Sequence, residues 1–247
     1  VNPRTVTAIG AVVLALVAGS TSFDRLPGQD ADRAAAAEAR ATSTRTATPS
    51  PAPTWRPVSA AALRTVDAVE LGAETLTLRA EDRTVSVVSM RDGKHTVGLL
   101  NRLLGTPART RTAAGDAGRC VPASTTSTWG GALRVAALAE PAPAGNRVEI
   151  RVLRDHVRSR LGEVIDLTGP DGVQVGDDVR PQLRDSRRSE RESLGSDDAE
   201  AWQLLLEPGW RSDRKGAGRN GVSVLTDDTT VTVIGSPMPV RATSRRC

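Results

Sequence analysis

Aromatic residues make up only 2% of this 247-residue chain: four Trp, one Phe and no Tyr. Stacking platforms for bases or sugars would have few rings to use. Histidine and cysteine are equally scarce, at two each, and His95, His156, Cys120 and Cys247 are scattered. A zinc site needs three or four ligands close together, and haem or iron–sulfur centres need ligands too. No cofactor and no metal is expected. Lysine is almost missing: Lys94 and Lys215 stand among 33 basic residues. With abundant Ala, Gly and Arg, this is the signature of a GC-rich, bacterial genome. The isoelectric point near 9.9 then reflects codon usage. A net charge of +4 is too small to require a polyanionic partner. The charge is also evenly spread, with six Arg against four acids in residues 1–56. No nucleic-acid partner is expected.

The N-terminus carries Arg4 and then a 12-residue apolar run, Ala8 to Gly19, followed by small residues up to Ser20. This is the layout of a secretory signal. The run is short of the roughly 20 residues needed to span a bilayer. Extended from Thr5 to Phe23, however, it gives 19 residues without charge. A cleavable signal peptide and an uncleaved single-span membrane anchor therefore both stay open for residues 1–23, with a buried core segment as a third reading. Residues 24–57 read as a disordered Ala/Thr/Ser/Pro-rich linker, which cannot bury enough apolar surface to offset its ordering entropy. Export also bears on the cysteines. In an oxidising compartment a Cys120–Cys247 disulfide would close a long loop and stabilise by about 4–5 kcal/mol. Two unpaired structural thiols are the alternative. A catalytic thiol has no His nearby in sequence.

From Val58 onward the pattern is that of a folded α+β region. Leu76–Arg79 and Thr84–Ser89 alternate as strands around a Glu81-Asp82-Arg83 turn. Lys94 to Leu104 predicts a helix with Val97, Leu100, Leu103 and Leu104 on one face, ended by Gly105 and Pro107. Ala132–Leu138 and Arg147–Leu153 predict strands, the second with Val148, Ile150 and Val152 on one side. Asp171–Gly176 reads as a turn and short strand. Asp178 reads as the cap of a helix through Val179 and Leu183. Arg184–Asp198 is ambiguous, Ala199–Leu206 is strand or helix, and Gly221–Leu225 with Thr230–Ile234 predicts a hairpin. Matching Asp92-Gly93 to Asp171-Gly172, Gly131 to Gly221, and Val148–Val152 to Val231–Ile234 gives an internal period of roughly 80–90 residues. The expected fold is α+β, an antiparallel sheet with few short helices in two similar tandem units, 58–165 and 166–247.

A glycine-led turn, a helix ending in Leu104-Gly105-Thr106-Pro107, a following Cys, and Trp129-Gly130 before a strand pair resemble the small tandem α+β repeats of secreted actinobacterial proteins. Those are similar in layout to the β-lactamase-inhibitor-protein and outer-membrane assembly lipoprotein folds. The resemblance implies a helix pair packed on an antiparallel sheet and a protein-binding or scaffolding role. This chain departs from the inhibitors in lacking Tyr, so neither inhibition nor any site residue carries over.

The remaining motifs favour structural roles. Gly216-Ala-Gly218-Arg-Asn-Gly221 matches G-x-G-x-x-G, but a strand follows it where a dinucleotide site needs a helix. Asp177-Asp178 suits a helix N-terminus, and Asp227-Asp228 suits a hairpin turn. Asp197-Asp198 with Glu200 are sequence neighbours, poor grounds for a shared hydrolytic or calcium site. There is no Gly-x-Ser-x-Gly elbow, and His156 sits in a charged segment. Arg184–Glu192 mixes signs and reads as a solvated face. Arg241, Arg245 and Arg246 read as a basic tail. Trp129, Trp202 and Trp210 are expected to anchor cores or the join between units, with Trp210, in a Gly/Pro loop, the candidate ligand contact. The expectation is an exported, non-catalytic cell-envelope domain that binds a protein or wall component. The alternative is an extracytoplasmic hydrolase whose site is assembled from distant residues.

Overall fold

The computed structural model describes residues 58–116, 122–196, 199–210 and 221–241. The expected signal or anchor, the linker, Cys120 and Cys247 all lie outside them. A short helix, α1 (Ala60–Arg64), is capped by the Ser59 hydroxyl, which accepts from the Ala62 N–H at 3.0 Å. Strands β1 (Ala68–Leu71), β2 (Thr75–Ala80) and β3 (Arg83–Ser89) follow as an antiparallel meander. Alternation is clean here: Leu76, Leu78 and Ala80 are buried, while Thr75, Thr77 and Arg79 face outward.

Helix α2 (Gly93–Leu104) starts at Asp92, whose carboxylate accepts from the His95 N–H at 3.0 Å. Its buried stripe includes Thr96, Leu99, Leu100, Leu103 and Leu104. Gly93 lies so close to the next layer that a Cβ there would stand 3.0 Å from the Arg147 carbonyl oxygen. Gly105 ends the helix at φ 84°.

Four antiparallel strands follow α2: β4 (Arg109–Ala113), β5 (Ser124–Trp129), β6 (Leu133–Leu138) and β7 (Val148–Val152). Then β8 (His156–Arg158) and β9 (Val164–Thr168) return to the first sheet. A 3-10 turn at Pro170–Gly172 leads to α3 (Arg180–Asp185), where Pro181 occupies the first turn. A second four-strand meander closes the fold: β10 (Arg191–Ser193), β11 (Trp202–Pro208), β12 (Gly221–Asp227) and β13 (Thr230–Ser236).

The result is two sheets. The smaller has the order β3-β2-β1-β9-β8 and the larger β10-β11-β12-β13-β7-β6-β5-β4. The expected α+β architecture is present, antiparallel throughout except for one parallel pair, β1 with β9. The larger sheet is palindromic about the β13–β7 seam. On each side stands a helix followed by a four-strand meander, last strand innermost. Of the matches read from sequence, the two strand matches fall in equivalent places, in the third and fourth strands of each meander, β6–β7 and β12–β13; Asp92-Gly93 opens α2, whereas Asp171-Gly172 lies in a 3-10 turn well before α3.

Two expectations need correction. The join placed between residues 165 and 166 falls inside β9. The repeating part begins at a helix, and the smaller sheet, built from β1–β3 and β8–β9, draws on both halves. All described residues belong to one compact unit. The short strand expected within Asp171–Gly176 is a 3-10 turn and loop; Asp171 and Gly172 both have positive φ, at 56° and 75°, which strand pairing does not allow. One hydrophobic core unites both sheets. Leu71, Leu76 and Leu167 from the smaller sheet join Leu133, Ile150 and Ile234 from the larger, with Leu100 of α2 among them. Polar ties reinforce the contact: the Ser236 hydroxyl donates to the Ala73 carbonyl at 3.1 Å, and the Ala73 N–H donates to Glu207 at 2.9 Å.

Candidate binding face

The two faces of the larger sheet differ in kind. On the inner face of its first meander lie Trp129, Leu133, Val135, Val148, Ile150 and Val152, all buried. Trp129 also donates from Nε1 to the Gly105 carbonyl at 2.9 Å, tying β5 to the end of α2. Side chains alternate along a strand, so the residues between these point outward. Strand register places Arg109 opposite Thr128, Thr128 opposite Arg134, and Arg134 opposite Arg151. One straight row across four strands therefore reads Arg-Thr-Arg-Arg. The next row reads Arg111, Thr126, Ala136, Glu149. Arg109, Arg111 and Arg134 are exposed and Arg151 is half-buried.

Four arginines and one carboxylate thus share this sheet face, with Arg151 at the seam donating from Nη1 to Met238 Sδ at 3.4 Å. Arg109, Arg111 and Arg134 make no side-chain hydrogen bond or ion pair among the described residues. Arg134 and Arg151 stand directly opposite each other, a like-charge pairing that opposes sheet stability by about 0.2–1 kcal/mol.

The same row continues across the seam, from Arg151 to Gly235, Ser223 and Leu205. Here the chain covers its own sheet. It turns at the cis Ser236–Pro237 peptide and runs back over the strands. The Met238 carbonyl accepts from the Ser223 hydroxyl at 2.6 Å, and Gln203 Nε2 donates to the Pro239 carbonyl at 3.1 Å. Gly235 leaves room for this segment, since a Cβ there would sit 3.1 Å from Met238 Sδ. Met238 and Val240 are buried as a result. Arg241 completes the cover by donating from its backbone N–H to Glu192 of β10 at 2.9 Å.

The residues singled out in the sequence lie elsewhere. Trp129 is core. Trp202 and Trp210 are partly buried against the same core. The Arg91 guanidinium lies 4.5 Å from the centre of the Trp210 ring, so one face of that candidate contact is already occupied by a cation–π partner. His156 lies on β8, about half exposed, with its Nδ1 2.8 Å from Asp155. His95 belongs to α2. Asp227 ends β12, paired with Thr230, and Asp228, with φ 53°, opens the β12–β13 turn. Asp178 precedes α3; the Thr229 hydroxyl and then the Arg180 N–H hold its carboxyl below the usual range, against desolvation and with some help from the Arg180 charge. Cys120, Cys247 and most of the glycine loop before Gly221 lie outside the described residues. A cleft between α1, α2 and residues 159–163 is lined by Arg64, Arg102, Arg160 and Glu163, but encloses only about 60 Å³, and Arg102 is already bonded to the Val58 carbonyl. Among the described residues no helix is long and apolar enough to cross a membrane, and no group of three metal-ligating side chains occurs.

Comparison with protein-family models, with curated proteins and with solved structures finds no match to this chain.

Proposed function

We propose that this protein is an exported, non-catalytic binding domain of the bacterial cell envelope, engaging its partner through the outer face of β4–β7. The observation that carries the reading is the outward Arg109–Thr128–Arg134–Arg151 row, exposed at Arg109 and Arg134 and half-buried at Thr128 and Arg151. Arginine side chains held side by side on a bare sheet, one pair directly opposed, suit a partner that brings negative charge. The covered state of the equivalent face beyond the seam strengthens the contrast. The apolar N-terminus and the Ser/Thr/Pro-rich linker supply the route: export, then a spacer holding the domain away from a membrane or within a wall. The hydrolase alternative gains no comparable support from His156 or Asp178, each on an exposed strand end or loop.

Fractionation tests this. Cells producing the full chain are separated into cytosol, envelope and medium, and the protein in each is weighed intact. The expected outcome is protein in the envelope fraction, released by raising the salt. Full-length protein confined to the cytosol would contradict it. The same mass measurement, with and without reduction before alkylation, decides whether Cys120 and Cys247 are bridged.

A further inference from the structure

We infer that the partner of this face is a linear, base-free polyphosphodiester, the class of polymer that decorates bacterial walls, and that Arg109, Arg111, Arg134 and Arg151 each take one of its phosphate groups. The inference rests on the binding-domain reading above and sharpens it to a ligand class.

Spacing favours a polymer over a single small anion. Arg109 and Arg134 are two strands apart, about 10 Å at the usual interstrand distance, and Arg111 lies about 7 Å along the strand from Arg109. One phosphate cannot span such a grid, whereas a chain with repeating charges can cross it. The fork of a guanidinium matches a phosphate oxygen pair. The Thr128 and Thr126 hydroxyls stand in the same rows as the arginines and add neutral donors for the oxygens between charges.

The face argues against two other polyanionic partners. A membrane surface would be met by apolar side chains able to enter it. Among the described residues the exposed large hydrophobics are Val87, Leu161, Val164 and Leu194, none of which lies on β4–β7. A single-stranded nucleic acid would be met by aromatic rings. Trp129, on β5, points into the core at 2% exposure, and Trp202 and Trp210 belong to β11 and the loop after it.

The experiment is a fluorescence-anisotropy titration of the full chain against labelled poly(glycerol phosphate) over a range of KCl. Four phosphate contacts to a flexible chain should give a slope of log K against log salt of about −3. R109Q/R134Q/R151Q should weaken binding at low salt by at least tenfold and flatten the slope. R109Q/R134Q removes two side chains without described partners, so it should fold as the parent does and lose part of the slope. R83Q/R184Q/R187Q, on other surfaces, should bind like the parent. The inference is overturned if the parent does not bind, if the two triple variants bind alike, or if dT20 or vesicles containing phosphatidylglycerol bind more tightly than the polymer. Envelope retention without polymer binding would overturn this ligand class and leave the binding-domain reading standing. Loss of both would remove that reading as well.

Discussion

The two meanders of the larger sheet share an order of elements and differ in what happens outside them. In β4–β7 the outward positions of the row are Arg, Thr, Arg and Arg, and solvent reaches them. In β10–β13 they are Gly235, Ser223 and Leu205, and the segment from Pro237 to Arg241 lies over them. Neutral outward residues, small at Gly235 and Ser223, let a strand-like segment settle with its Met238 and Pro239 carbonyls bonded to Ser223 and Gln203. Arg151, beside the seam, meets that cover by donating to Met238 Sδ at 3.4 Å, whereas Arg109 and Arg134 farther out would have no partner beneath one, and burying a guanidinium unpaired is costly. Packing of the inner face fixes the fold of both meanders, and the outward residues then decide whether the sheet is finished by its own chain or left open to another molecule.

Inner-face changes should hurt both meanders alike, and most. Trp129→Ala should cost about 3–5 kcal/mol and Leu204→Ala about 2–5 kcal/mol in denaturant unfolding. A small effect in one of them would break the equivalence. The outer faces should part company at the next level. Met238→Ala should cost about 2 kcal/mol, the low end for a buried methionine, while Arg134→Ala should stay within about 0.5 kcal/mol of the parent. Ser223→Ala, which removes the 2.6 Å bond to the Met238 carbonyl, should cost about 1 kcal/mol. Arg134→Thr, by relieving the pairing with Arg151, should raise stability by about a few tenths of a kcal/mol at low salt, and salt should erase the gain.

The smallest effect concerns pH. The carboxyl of Asp178 is held below its ordinary value by Thr229 and Arg180. A lowered folded-state value means that its contribution is present above the ordinary carboxylate range and fades as pH falls through the folded value. Asp178→Asn should therefore be slightly less stable than the parent near neutrality, and the two should converge in strong acid.

Much of the fold was legible in the sequence because burial imposes a period. Val148, Ile150 and Val152 showed the alternation of β7, and Thr230–Ile234 that of β13. Lys94–Leu104 showed the helical spacing of α2, and the buried face also takes in Leu99, beyond the predicted Val97, Leu100, Leu103 and Leu104. The candidate site was not legible. It depends on β4 and β5, whose sequences Arg-Thr-Arg-Thr-Ala and Ser-Thr-Thr-Ser-Thr-Trp carry almost no apolar alternation. β4 is exposed along its whole length, so nothing in it had to be hydrophobic. The arginine row also joins residues from four strands, 109 to 151, through register alone, which no local pattern encodes. A net charge of +4 gave no hint either, since acids elsewhere balance it. That net charge does not by itself require a polyanionic partner, and it says nothing about how the charge is arranged on one face. Trp210, the candidate ligand contact by its size and its loop, has one ring face occupied by Arg91.

Arginine footprinting tests the account most directly. The full chain is treated with phenylglyoxal in the presence and absence of isolated envelope material, and modification is read at each arginine by mass spectrometry. The account expects Arg109, Arg134 and Arg151 to be protected by the envelope, with Arg83, Arg184 and Arg187 modified equally in both samples. Equal modification of the β4–β7 arginines, or protection centred on another surface, would contradict it.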